Sequence, residues 1–240
     1  MEIDITGFEK AEHFNIFGYD FVLFEGLIFI IAALVVMLVL GFVLRSAIKH
    51  QNVYEKPSAI IVLAESLWRF TGGASEGLDE KTHEEPLRAF AACLFVFMVL
   101  INTAALWGIE PPAANVFVAL TLGLIVGFLV HFLGFMHGPV EYFKSFFHPN
   151  IIMFPINVIE VFSQIVSISM RLFGNMLAGV VLASLLKMAL QGLGPFVYAI
   201  GYPVLGGMLS MYSDLFIATI QSLIFMTLTM SYIKSKLLPE

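Results

Sequence analysis

The sequence predicts an all-α integral membrane protein with about five membrane-embedded helices and a short surface helix, in which the last two embedded helices form a long, strongly tilted hairpin. Three observations predict it. Of 240 residues, 59% are hydrophobic and 12% charged, and the mean hydropathy is +0.92. A soluble domain carries about a quarter of its residues as charges, so the bilayer is the solvent for most of this chain. Three apolar runs, 21–44, 89–107 and 115–136, each approach the ~20 residues that a helix needs to cross ~30 Å of hydrocarbon. Beyond them, residues 151–233 hold two apolar runs broken at 191–195, each of about forty residues and so about twice the bilayer thickness at 1.5 Å per residue.

Taken in order, residues 1–20 form an outer N-terminal segment whose Glu2, Asp4, Glu9 and Glu12 stand against a single Lys10. That is the reverse of a basic signal-peptide start, and no cleavage is expected. The first span, 21–44, leads into a cytoplasmic loop, 45–88. Within the loop Pro57 sits near a helix start, and apolar Ile60, Leu63, Ala64 and Leu67 follow at helical spacing, which predicts a surface helix over 56–70. A polar stretch, 71–85, follows. Residues 89–238 form the core, with tight Pro/Gly turns at 108–112 and 137–139. The whole chain, 1–240, reads as one membrane domain without internal repeats.

Basic residues set the orientation. With the first run crossing inward and each long run kept whole, Arg45, Lys49, Lys56, Arg69, Lys81, Arg88, Lys144, Lys234 and Lys236 share one side and only Lys10 lies opposite. This places the N-terminus outside and the C-terminus in the cytoplasm. Splitting one long run strands Lys234 and Lys236 outside, whereas splitting both restores them. The absence of a proline or charged loop beside Arg171 or Gln221 favours two unbroken helices.

Several function classes are excluded. A net charge of -6 argues against nucleic acid, and the single Cys93 forms no disulfide framework. No Gly-rich phosphate loop, nucleophile with base, or Cys/His cluster is present, so no cofactor, metal or catalytic site is expected. His131 and His137 are six apart, which is not a helical metal pair, and read as helix-end packing. Lys187 reads as snorkelling to an interface.

Arg171 is the exception to the apolar pattern, because guanidinium cannot shed its charge and the cost of holding it in hydrocarbon must be offset permanently. Glu160, Gln164, Ser167, Arg171 and Asn175 fall on one stripe of a 3.6-residue helix. On the final helix Ser210, Asp214, Gln221 and Tyr232 are expected to share a face. Ser, Asn and Gln at membrane depth often serve only as interhelical hydrogen bonds worth ~1 kcal/mol. A structural Arg needs an acid, however, and Glu160 lies eleven residues away, or ~16 Å along the axis. That leaves Asp214 on the partner helix, or a carboxylate from another protein.

The run Arg171-Leu-Phe-Gly-Asn-Met-Leu-Ala-Gly179 resembles the signature of subunit a of bacterial F-type ATP synthases. Pro155-Ile-Asn-Val-Ile-Glu160, Ile220-Gln-Ser-Leu-Ile-Phe-Met-Thr-Leu-Thr229 and the outer loop Glu110-Pro-Pro-Ala-Ala-Asn115 are similar to the same family. The resemblance covers about 89–238, and the first ninety residues match only in layout. It implies the stator subunit of the Fo motor in the bacterial plasma (inner) membrane, acting with a c-ring, b-type peripheral stalk subunits and the other synthase subunits, with membrane lipid around it. Two half-channels beside the ring would couple passage of H+, or Na+ in its place, to rotation.

The resemblance further implies that Arg171 is the essential arginine and that Asn175 and Gln221 are the polar pair beside it. Asp214 would stand in the outer half-channel, and Glu160 near the inner mouth with Ser163 and Ser167 as lining. Glu110 would stand at the outer entrance. One departure is Val180, where many members carry Glu or His; Asp214 is then left to relay ions alone. A secondary transporter that binds an anionic substrate through Arg171 is the alternative function. Such transporters usually show an inverted repeat and Gly/Pro-interrupted helices, and neither is expected here. A purely structural anchor is a third class.

Overall fold

The computed structural model describes residues 12–16, 19–23, 25–51, 56–75, 84–107, 109, 111–147 and 151–237. Among the described residues five helices are long and apolar enough to cross a membrane, as the hydropathy pattern predicts.

The described residues begin with an antiparallel hairpin, β1 (Glu12–Ile16) with β2 (Tyr19–Leu23), in the register Glu12 to Leu23 and Ile16 to Tyr19. The predicted first span therefore starts later and runs further, as α1 (Glu25–Lys49). Lys49 in its last turn and the His50 ring nitrogen, donating to the Ser46 carbonyl at 2.9 Å, close its C-terminal end. The surface helix forms as α2 (Ala59–Ser75), five residues beyond its predicted end. It is followed by α3 (Glu84–Asn102) and a tight helical turn at Ala104–Trp107.

The helix α4 (Val116–His137) starts where the Asn115 side-chain oxygen accepts the Phe117 N–H at 2.9 Å, an N-cap. Gly138 is extended and Pro139 opens a short helix, α5 (Pro139–Ser145), which the hydropathy reading did not separate from its surroundings. The long helices follow as α6 (Phe154–Gly192) and α7 (Pro195–Leu237). Each is continuous, as the unbroken reading expects. Between them Gly194 has φ 115, a conformation that disfavours any residue with a Cβ, and Pro195 then supplies a fixed φ at the first helical position.

The final helix contains a proline and glycines, at Pro203 and Gly206–Gly207, and is not interrupted by them. Wide helical turns at Tyr202–Gly206 and Met211–Ile217 absorb the irregularity. In the second of them the Ala218 N–H reaches the Ser213 carbonyl, five residues back.

The molecule divides into two compact units. The first holds Met1–Ile31, Val99–Ile125 and Ser163–Ser222, and the second holds Ala32–Met98, Val126–Phe162 and Leu223–Glu240. In the first unit α6 and α7 run antiparallel: Leu190 lies beside Gly201, Ser213 beside Gly179, and Asn175 bonds Gln221. A Cβ at Gly123 would meet the Ser169 Oγ at 2.0 Å and the Ile165 carbonyl at 3.0 Å, so glycine is what lets α4 approach α6 there.

In the second unit Arg88 ties α3 to α2, donating to the Trp68 carbonyl at 3.2 Å with its guanidinium 5.0 Å from the Trp68 ring. Its α4 segment meets α5 through a hydrogen bond of 2.8 Å between the His131 ring and the Tyr142 hydroxyl. Tyr142 packs edge-on against Phe146, over whose ring the Lys236 ammonium lies 5.7 Å from the centroid. Burial raises the Tyr142 hydroxyl above its ordinary pKa of 10.0.

Candidate functional site

In the first unit the inward face of α6 is set by Ile168, Leu172 and Met176, which recur every four residues and are all buried. Arg171 lies one step around from that row and is exposed. Among the described residues it makes no ion pair and no hydrogen bond. The static bridge to Asp214, one of the two partners left by the stripe, is absent there: Asp214 is instead engaged by Ser210 and Ser213, the latter donating to its carboxylate at 2.6 Å.

One turn along from Arg171, Asn175 donates its amide to the Gln221 side-chain oxygen at 2.6 Å. Gln221 is 2% exposed, so this bond joins α6 and α7 in their apolar seam. The two amides thus partly satisfy each other and leave the neighbouring guanidinium free. The Arg171 guanidinium, exposed on an apolar helix, carries five N–H donors in a planar fork whose geometry suits a carboxylate.

The remaining predicted residues divide. Ser163 and Ser167 are exposed on α6 in the first unit. Glu160 belongs to the second unit and is also exposed on α6. Glu110 lies outside the described residues. The expected face of Ser210, Asp214, Gln221 and Tyr232 does not run as one regular row. It rests on 3.6 residues per turn, and the wide turn at Met211–Ile217 takes extra residues between Asp214 and Gln221. Gln221 is accordingly buried while Asp214 is half-buried.

Sequence reading missed three participants. Asn102 is fully buried and donates to the Ser222 hydroxyl at 3.2 Å, while its side-chain oxygen has no partner among the described residues. A lone amide at the end of an apolar run was the available signal. Ser213 touches Asp214, and Gly179 faces Ser213 across the helix pair, with a Cβ at that glycine lying 3.7 Å from the serine Cβ. Periodicity did not single out Ser213, which lies within the wide turn. Among the described residues no group of three or more His, Cys, Asp or Glu is placed to hold a metal ion.

Comparison with known proteins points the same way as the motif. The family described as ATP synthase A chain matches residues 27–234. A protein named ATP synthase subunit a from Enterococcus hirae is 36% identical over 163 residues, covering 63% of this chain and 66% of that protein. One of the same name from Limosilactobacillus fermentum is 31% identical over 223 residues, covering 88% of this chain and 92% of its own length. One from Staphylococcus aureus is 28% identical over 240 aligned positions, covering 94% and 96%. The first of these alignments thus spans just under two thirds of the relative, and the other two nearly all of it.

Proposed function

The chain belongs to the ATP synthase A chain family, and from that membership we propose that it forms the two ion half-channels beside the c-ring of an F-type ATP synthase and couples H+ or Na+ passage to rotation. The observation that carries the reading is Arg171: a permanent cation, exposed on an apolar helix, with no carboxylate partner among the described residues of its own chain.

On this reading each ring subunit brings one carboxylic acid past the stator. Facing lipid the acid stays neutral, because an ionised group there is costly. Opposite Arg171 its charged form gains a cation within reach, its pKa falls, and it releases its ion. Asn175 and Gln221, bonded to each other, fix the spacing of α6 and α7 beside the arginine. Asp214 serves the outer half-channel, with Val180 in place of a relay acid. Glu160 serves the inner mouth, with Ser163 and Ser167 lining the way. Glu110 stands at the outer entrance.

The guanidinium also bars a cation from passing straight between the half-channels. Each charge moved yields ~2.3 kcal/mol per 100 mV, which becomes rotation. The partners of the chain are the c-ring, the peripheral stalk and the other synthase subunits, in a bacterial plasma membrane with the N-terminus outside.

The test is Arg171→Ala in the whole complex reconstituted in vesicles. ATP-driven pumping is expected to fall to background while the c-ring still co-purifies. Pumping that survives the substitution would reduce the chain to an anchor.

A further inference from the structure

The two serines beside Asp214 use their hydroxyls differently from several others of the long helices. In α6 and α7, Ser169, Ser184, Thr219, Ser222 and Thr229 each donate their hydroxyl to the carbonyl four residues back, at 2.7 to 2.9 Å. That is the default for a hydroxyl in an apolar helix, where the helix's own backbone is the nearest acceptor. Ser210 and Ser213 depart from it. Ser210 donates to one carboxylate oxygen of Asp214 and Ser213 to the other, at 2.6 Å. A carboxylate held at both oxygens has lost its freedom to turn about its terminal bond.

Two further observations localise this arrangement. Ser213 and Asp214 lie within the wide turn Met211–Ile217, which displaces side chains from their α-helical spacing. Across the helix pair Ser213 faces Gly179, where a Cβ would lie in ordinary contact at 3.7 Å, so the glycine leaves room of about one methyl group beside the pair. Val180 is the next residue. Of the described elements packed here, Ala104–Trp107 holds only Ala, Leu and Trp, and on α6 the nearest charged residues are Arg171 and Lys187, each eight positions from Gly179.

We propose that Ser210 and Ser213 are positioning residues that hold the Asp214 carboxylate in one orientation, beside the gap left by Gly179, as the fixed transfer point of the outer half-channel. The proposal rests on the reading of Asp214 as an ion relay. A relay acid works by presenting the same atom to an incoming and an outgoing ion, and where no second carboxylate stands at Val180 the single acid has to be kept aimed by its neighbours. No bond is made or broken by the serines; they remain hydroxyl donors throughout.

The experiment uses the assembled complex in vesicles and reads ATP-driven pumping, with assembly checked by c-ring co-purification. Asp214→Asn is expected to remove most pumping. Ser210→Ala combined with Ser213→Ala is expected to lower it about tenfold, the scale of losing a hydrogen bond to a charged group. Ser210→Thr, which retains the hydroxyl, is expected to pump at the wild-type rate where Ser210→Ala does not. If Asp214→Asn is inactive and the double alanine variant pumps normally, the relay reading stands and the positioning role falls. The role falls equally if Ser210→Thr is as impaired as Ser210→Ala. Normal pumping by Asp214→Asn overturns the relay reading and the proposal together. If the double variant does not assemble, the Ser210→Ala and Ser210→Thr pair decides alone.

Discussion

Two polar joints, one in each unit, are built from similar ingredients and end in opposite states. In the second unit, His131 bonds Tyr142, Tyr142 packs on Phe146, and the Lys236 ammonium lies over the Phe146 ring. Its polar groups are answered within the chain. In the first unit Asn175 and Gln221 answer each other at 2.6 Å, and Arg171, one turn away, is answered by nothing among the described residues. A joint that satisfies itself holds helices together. One that leaves a permanent charge open is stable only against a partner, and this separates a fastening from a working surface.

Substitutions break or sharpen that contrast. The largest effect is expected at Arg171, where alanine abolishes pumping and leaves the melting temperature of the detergent-solubilised complex unchanged or higher, since the Arg171 side chain makes no bond among the described residues. A fall of several degrees would place Arg171 among the fastenings. Next is Gly123→Ala: the new methyl would displace Ser169 from its bond to the Ile165 carbonyl and press on that carbonyl. Overpacking of this kind costs about 1–3 kcal/mol, measurable as a lowered denaturation midpoint.

A smaller loss, roughly 1–2 kcal/mol, is expected for Asn175→Leu, which leaves the buried Gln221 amide without its partner. Pumping should fall with it, because the joint also spaces the two helices. The smallest effect belongs to Tyr142→Phe, about 1 kcal/mol or less, with pumping unaffected. It also changes the alkaline limb. Burial holds the Tyr142 hydroxyl protonated above its ordinary 10.0, so as pH rises through that value the unfolded chain loses its proton first and stability falls. The phenylalanine variant should lack that part of the slope in a pH series of melting curves.

The helices were legible in the sequence because hydropathy over twenty or forty residues leaves few alternatives, and the unbroken course of α6 and α7 followed from the absence of charge beside Arg171 and Gln221. Arg171, Asn175 and Gln221 were legible because polar residues in an apolar run stand out. Periodicity failed where the helix itself departs from 3.6 residues per turn. The segment at Met211–Ile217 widens α7, so counting at 3.6 residues per turn does not carry a face from Asp214 to Gln221. The short strands β1 and β2 and the helix α5 were missed for another reason: runs of five to seven residues carry too little pattern to separate from their apolar neighbours.

The turn at Gly194 limits where α7 can lie. Only Leu193 and Gly194 separate a 39-residue helix from one of 43, and neither bears a charge. A link of two residues spans at most ~7 Å, so α7 has no slack with which to seek its own place after α6 has settled. α7 is thereby tied to fold back beside the end of α6 through a tip of two uncharged residues.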